Sequence, residues 1–275
     1  MKKIRDWKGP YTQLVILVAT LAIPSMIDVT SIIRMIFSTN NLNFDNAKYF
    51  FLMKLGNGII GIVFMLIVLF VWIRKSNKSS LLNTGDLYHD HLYVGYWICS
   101  KILGYKKCNL IRVPVAMQFK LVIRDTFVDY DYGQDNDYRD IDDENIKIKS
   151  PSNNYSSTVN LVLSDTYPVF KEMLPTSTSD LSTIWIQRDN KNDSVRSYSK
   201  KFRESVQNTV RQLPNNVCAI NLYPTLNPKH SYWIARNVFK LGGRSNIRIL
   251  TIFSQPNKNG NWNFSETGTV IFTEK

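Results

Sequence analysis

The sequence is short of the residues that carry redox, metal and nucleophilic chemistry. Among 275 residues there are 3 cysteines and 3 histidines. Cys99, Cys108 and Cys218 are too few and too scattered for a disulfide framework or a zinc site, and read as reduced thiols. No GxGxxG follows a strand-like run, and GxxxxGK[ST], HExxH and GxSxG do not occur. The signatures of a dinucleotide fold, a P-loop, a zincin helix and a nucleophile elbow are therefore missing. No internal repeat of fixed period and no low-complexity tract stands out, so a repeat architecture is not indicated.

What the sequence does have is an apolar front and a basic remainder, with 34 Lys and Arg against 22 Asp and Glu, a net charge of +12. Tyr11 to Ile33 and Phe50 to Ile73 are each long enough to cross a hydrocarbon core of about 30 Å at about 1.5 Å per helical residue. The second contains an uninterrupted apolar run from Ile59 to Ile73. The first carries Pro24 and Asp28, and its basic start MKKIRDWKG leaves a cleaved signal peptide as the rival reading. Against that reading, no clean small-x-small cleavage site follows, and a second span comes directly after. Lys2, Lys3, Arg5 and Lys8 precede the first span, and Arg74, Lys75 and Lys78 follow the second. The positive-inside rule then places both termini in the cytosol with a short outer loop around Asn40 to Ala47. Trp7 and Trp72 are expected at the inner interface. Asp28 and Asn57 are the polar groups within the spans, and Gly56, Gly58 and Gly61 would smooth the second helix for close packing. They either line an interface or pore in an oligomer, or simply pack the hairpin with Asp28 near the outer headgroups.

The organisation expected is a two-span hairpin over 1–76, a linker and first cytosolic part over 77–150, and an α/β domain over 151–275. NKSSLLNTGD (Asn77 to Asp86) reads as a connector and His89 to Leu103 as an amphipathic helix stopped by Gly104. Leu110 to Val115 and Met117 to Ile123 read as strand-like runs. Asp125 to Glu144 holds nine acidic residues against Arg139 alone. That composition suits a solvated loop; calcium binding is an open alternative, but no EF-hand spacing with its glycine in place is present. Beyond Pro151, strands alternate with helices: Thr158 to Leu163, Thr183 to Gln187, a helix over Ser197 to Leu213, Val217 to Tyr223, a helix over Ser231 to Leu241 ending at Gly242-Gly243, Ile247 to Phe253, a turn at Asn259-Gly260-Asn261, and Gly268 to Phe272. Alternation of this kind predicts a largely parallel, Rossmann-like sheet.

Such sheets bind ligands at the carboxyl ends of their strands. Those ends supply the candidate ligand-binding residues Ser164, Asp165, Thr166, Arg188, Thr225, Lys229 and His230, with Ser254 and Gln255 beside them. From Arg188 onward there are fourteen Lys and Arg against five Asp and Glu, +9 in that stretch. The charge suits an anionic ligand or, equally, an anionic lipid surface. The phosphate contacts of an anionic ligand would come from Arg188, Lys229 and the amides near Thr166. His89 and His91 with Asp86 and Asp90, in DLYHDH, could be drawn as a metal site, but with no second ligand cluster they read as a surface loop. No catalytic residue, metal or cofactor is assigned, and a dedicated enzyme is the less favoured class.

The segments INLYPTLNPKHSYWIARNVFKLGG and IRILTIFSQPNKNGNWNF, with TVNLVLSDTYPV upstream, resemble SAVED domains over Thr158 to Phe272, chiefly through Pro228, Ala235, Gly242 and Trp262. The resemblance implies CARF-like Rossmann lobes that bind a cyclic oligonucleotide. In members with two N-terminal transmembrane helices it implies an effector that disrupts the inner membrane of phage-infected cells in CBASS antiviral defence. Its partners would be that nucleotide, the lipid bilayer and further copies of the chain on activation, with no DNA expected. A membrane scaffold with a protein-binding domain, and a membrane-tethered enzyme acting on lipid or nucleotide, remain as alternatives.

Overall fold

The computed structural model describes residues 7–37, 44, 47–85, 87–133, 139–140, 145–151, 155–189, 197–240, 246–256 and 262–273. The basic cluster Lys2 to Arg5, most of the outer loop, Asp86, the Gly242-Gly243 helix end and the Asn259 to Asn261 turn lie outside them. The chain divides into two compact units, residues 1–87 with 94–108, and residues 88–93 with 109–275.

In the first unit, helix α1 (Lys8–Met26) keeps Pro24 in its last turn. It stops where Asp28 adopts φ 49°, and α2 (Val29–Phe37) follows. Helix α3 (Ala47–Ile67) runs on through a π turn, Val68–Ile73, and a last turn, Arg74–Asn77. Lys8–Met26 and Met53–Asn77 are the two helices long and apolar enough to cross a membrane among the described residues, and only 17% and 22% of their apolar windows are buried. A core helix of a soluble protein would be mostly buried; these leave Val15, Val18, Phe64 and Val71 facing outward. The glycines of α3 have separate uses. Gly56 breaks the helix at φ 75°, ψ 162°, a conformation that favours glycine. A Cβ on Gly61 would meet the Leu21 carbonyl oxygen at 2.3 Å, so α1 and α3 touch backbone to backbone there. Around Gly58 nothing lies within 4 Å.

The span ends are held by the segment after them. Strand β1 (Leu81–Leu82) pairs in parallel with β2 (Lys107–Asn109), Leu82 opposite Cys108. Between them α4 (Tyr93–Trp97) continues as a π turn over Ile98–Ile102, and Gly104 takes φ 83° at its end, the left-handed stop expected there. Arg74 Nη1 donates to the carbonyls of Lys101 at 2.7 Å and Ile102 at 3.0 Å. Asn77 Nδ2 donates to the Leu103 carbonyl at 2.8 Å. Trp7, expected at the inner interface, is packed against protein: it is buried, edge-on to Tyr96 at 4.9 Å, and its indole N–H donates to Asn83 Oδ1 at 2.8 Å. An indole with a partner for its one donor can be buried fully. Trp72 remains outward-facing. The buried thiols are quiet; burial pushes Cys99 up to about 12 and Cys108 well above the usual range.

In the second unit, α5 (Val115–Ile123) stands where the strand-like run Met117 to Ile123 was expected, and most of the run Leu110 to Val115 is a turn before it. The run is apolar and short, and such runs do not separate a buried helix from a strand by periodicity. Pro114 caps it, and Ala116, Phe119, Leu121 and Val122 are all buried. The acidic stretch contributes two short strands, β3 (Asp129–Asp131) and β4 (Arg139–Asp140). After them come β5 (Ile146–Lys149), β6 (Thr158–Ser164), β7 (Thr183–Arg188), β8 (Ser197–Tyr198), α6 (Lys200–Arg211), β9 (Ala219–Pro224), α7 (Pro228–Ile234, extended by a π turn to Phe239), β10 (Ile249–Ile252) and β11 (Thr269–Thr273).

Six strands form one sheet in the order β11-β10-β9-β6-β7-β5. The inner four are parallel; β11 and β5 close the edges antiparallel. Central β6 is buried along nearly its whole length, as a strand covered on both faces must be. Asn160 in its middle is fully buried and donates to the Thr178 carbonyl at 2.8 Å, while accepting from Asn221 at 3.2 Å. Val162, Val169, Tyr223, Phe253 and Phe264 form a core cluster, with Tyr223 stacked on Phe253 at 4.7 Å. Helix α6 presents Phe202, Val206 and Val210 to the interior.

Candidate functional site

The chain leaves β6 toward β7 on one side and leaves β9 toward β10 on the other, so β6 and β9 are neighbours whose connections diverge. Their carboxyl ends are the topological switch point, where an open α/β sheet forms a crevice. A cleft of about 600 Å³ lies there, within the usual range for small-ligand sites. After β6 it is lined by Thr166 and Tyr167, after β9 by Thr225 and Leu226, and after β10 by Phe253, Ser254 and Gln255. Tyr88, Asp90, Trp262 and the start of α5 complete it. Tyr167 and Trp262 stand 6.2 Å apart, and the Tyr167 hydroxyl donates to Gln255 Oε1 at 2.6 Å. Pro114 gives α5 no side-chain cap, so the positive end of that helix is available beside Val115 and Ala116. The lining includes no lysine or arginine among the described residues.

The seven strand-end residues divide between this cleft and a buried network behind it. Thr166 and Thr225 line the cleft and bond each other: the Thr166 amide and hydroxyl donate to the Thr225 carbonyl at 2.9 and 2.7 Å. Ser164 accepts from the Val169 amide at 3.1 Å and donates to the Tyr167 carbonyl at 2.9 Å, fixing the loop that carries Tyr167. Asp165, Arg188 and His230 are buried together. Arg188 pairs with Asp165 and donates to Ser197 Oγ at 2.6 Å. The other carboxylate oxygen of Asp165 accepts from the Asn227 amide and side chain, at 3.0 Å each, and lies 2.7 Å from His230 Nδ1. His230 Nε2 accepts from the Ser199 amide at 3.0 Å, so the ring proton is on Nδ1, facing Asp165. Neither ring nitrogen is left to act on a substrate. Burial pushes the Asp165 carboxyl up, but His230, Arg188 and the Asn227 amide outweigh it and hold the group below its ordinary value. The Lys229 ammonium lies 4.1 Å from the Tyr198 ring centroid.

Sequence reading missed Asn227, Ser197 and Ser199, which complete the network. Asn227 before Pro228, and Ser199 before the apolar rhythm of α6, were legible as helix caps: each side chain accepts from the amide three residues on. Nothing in the spacing announced that Asn227 also serves Asp165. The DLYHDH stretch alternates, with His89 and His91 buried and Tyr88 and Asp90 exposed. Among the described residues no group of three potential metal ligands comes together.

The architecture defines a class: an α/β domain with a strand-end cleft, preceded by two helices built to cross a membrane. The sequence profile of the SMODS- and ubiquitin system-associated 2TM effector domain matches residues 1–271, and the chain belongs to that family. It is thus a membrane protein of the effector type. Among solved structures it is similar to the Acinetobacter baumannii Cap4 SAVED/CARF-domain receptor with the cyclic trinucleotide 3'3'3'-cAAA, at 5% identity, a TM-score of 0.45, and 65% of this chain against 42% of that one. The same receptor with 2'3'3'-cAAA gives 6% identity, a TM-score of 0.44, and 64% against 41%. The chain therefore spans less than half the length of those receptors. A search of curated proteins returned no match.

Proposed function

We propose that the protein is a membrane-anchored sensor of a cyclic oligonucleotide, and that occupancy of its cleft drives its two spans to disrupt the inner membrane as an antiphage effector. The observation that carries the reading is the cleft at the β6/β9 switch point in a chain of the 2TM effector family. Its lining suits a nucleotide by stacking more than by ion pairing. Tyr88, Tyr167 and Trp262 offer ring faces for bases, while hydroxyls and the start of α5 offer donors for phosphate oxygens. Thr166 and Thr225 are then the direct ligand contacts among the strand-end residues. Ser164, Asp165, Arg188 and His230 are positioning residues behind them, and Lys229, on α7, is not among the residues that line the cleft. Both termini lie in the cytosol, and copies of the chain assemble on activation.

The test uses the full chain in lipid vesicles, with cyclic di- and trinucleotides titrated against it and dye release followed. Binding with dye release is expected from at least one nucleotide. In cells, co-expression with a cyclic-nucleotide synthase should depolarise the membrane. Binding without membrane damage would instead support a scaffold.

A further inference from the structure

The chain passes between its two units at Leu87–Tyr88, Tyr93–Val94 and Cys108–Asn109. The six residues Tyr88–Tyr93 thus belong to the α/β unit while the residues on both sides belong to the membrane unit. This short strap is also a wall of the cleft, through Tyr88 and Asp90. Its side chains alternate as in a strand. His89 and His91 point inward, and the His89 amide donates to the Arg112 carbonyl at 2.9 Å. At its far end the Tyr93 ring carries Lys120 and Arg124 over its face, at 5.2 and 5.1 Å.

Beyond the strap, the chain is tied to the second span. The helix that begins at Tyr93 ends under the Arg74 guanidinium, which holds the carbonyls of Lys101 and Ile102. Gly104, just past it, is so close to Arg74 that a Cβ would lie 3.0 Å from Arg74 Cγ. Before the strap, Asn83 is bound by Trp7 at the start of the first span. The chain on either side of the strap is thus hydrogen-bonded to residues at one end of each span, Trp7 and Arg74.

We propose that Tyr88 and Asp90 are ligand contacts and that the strap Tyr88–Tyr93 reports occupancy of the cleft to the membrane unit. The inference rests on the nucleotide-sensor reading and specifies its mechanism. Tyr88 stacks on a base of the nucleotide. Asp90, whose carboxylate is exposed on the cleft wall, accepts from an N–H donor on a base edge and turns phosphates toward the start of α5. A ligand shifts a conformational equilibrium only by the difference between its contacts in the two states. Contacts to the strap supply that difference; contacts confined to the strand ends do not.

The experiment uses full-length protein in vesicles, with cyclic tri-AMP, cyclic di-AMP, cyclic di-GMP and cyclic UMP–AMP as probes. Tyr88→Ala is expected to weaken binding of the effective probe at least tenfold. Arg74→Ala should keep affinity within about twofold and lose dye release, because the clamp no longer transmits. A third arm places an environment-sensitive dye at Leu92→Cys, a position 82% exposed, in a Cys218→Ser background where the other thiols are buried. The dye signal should shift on binding. Wild-type binding that Tyr88→Ala leaves unchanged, a silent dye during binding, or full dye release from Arg74→Ala overturns this inference alone. Failure of every probe to bind wild type overturns the sensor reading and this inference with it.

Discussion

In the hairpin, Asp28 takes its hydrogen bonds from next to it in sequence and from one facing helix: Thr30 and Ser31 hydroxyls at 2.8 and 2.5 Å, and Asn57 Nδ2 at 2.8 Å. In the α/β unit, Asp165 takes its partners from across the sheet, at Arg188, Asn227 and His230. Both carboxylates sit where regular structure ends, Asp28 at the break after α1 and Asp165 past the end of β6. The difference lies in the surroundings. The bonds of Asp28 are exposed, whereas Asp165, Arg188 and His230 are sealed from solvent. A buried charge has to be matched completely, and removing one partner leaves the other stranded.

The largest effect expected from this contrast is therefore at Asp165 and Arg188. Arg188→Ala should destabilise the α/β unit by about 3–5 kcal/mol, measured by denaturant unfolding of the full chain in detergent. The double substitution Asp165→Leu with Arg188→Met should cost less than either single change, since it strands no charge. If Arg188→Ala unfolds like wild type, the network is not sealed as described. Acid sharpens the comparison. The folded Asp165 carboxyl lies below its ordinary 3.8, so its contribution is fully present above that pH and is lost as pH falls through the lower folded value. Wild type should lose stability on acidification in this window, and Asp165→Asn should lose less.

The same contrast shows how much the sequence could tell. Spans were legible because a run of about 20 apolar residues matches the hydrocarbon core in length and leaves no polar face for water. Strands β6, β7, β9 and β10 were legible within a residue or two, because buried parallel strands read as short apolar runs between turns; β11, an antiparallel edge strand, was legible from its run Val270 to Phe272. Helix α5 was not, since Val115 to Ile123 is apolar and short enough to be either. Strand β5 was missed because Ile146–Lys149 is an edge strand whose lysines hide its pattern. At the site, position was legible and role was not. The strand-end rule found Arg188, but only the fold shows that Asp165, 23 residues earlier, claims it. Net charge suggested basic residues around an anionic ligand; among the described residues the cleft lining includes aromatic rings and hydroxyls and no lysine or arginine.

The second effect lies in the spans. Gly61→Leu introduces side-chain atoms where a Cβ alone would be 2.3 Å from the Leu21 carbonyl oxygen. Backbone has little freedom to yield, so the hairpin should be destabilised by about 1–3 kcal/mol. Membrane damage should disappear while nucleotide binding by the α/β unit stays within about twofold. Gly58→Leu, with no neighbour within 4 Å of the Cβ position, is the matched control and should leave the hairpin packed. Equal effects of the two substitutions would show that close approach at Leu21 is not what holds the spans together.

The smallest effect should come from Asp28, and its size decides whether the two carboxylates truly differ. Asn at position 28 keeps an acceptor for Asn57 Nδ2 and the Thr30 hydroxyl, and the Ser31 hydroxyl can rotate to accept from the new amide. Asn57 in turn still receives the Thr30 amide, which lies 3.0 Å from its Oδ1. Helix α1 has 19 residues, about 28 Å at the rise of an α-helix. A first turn at one face of the bilayer therefore brings Asp28 to the other, where water and headgroups hydrate a charge. Asp28→Asn should thus shift the unfolding midpoint less than Gly61→Leu and far less than Arg188→Ala, all measured on full-length protein in the same detergent. A loss as large as that of Arg188→Ala would mean that the Asp28 cluster is dry, deep in the hairpin, and matched as strictly as the network at the sheet.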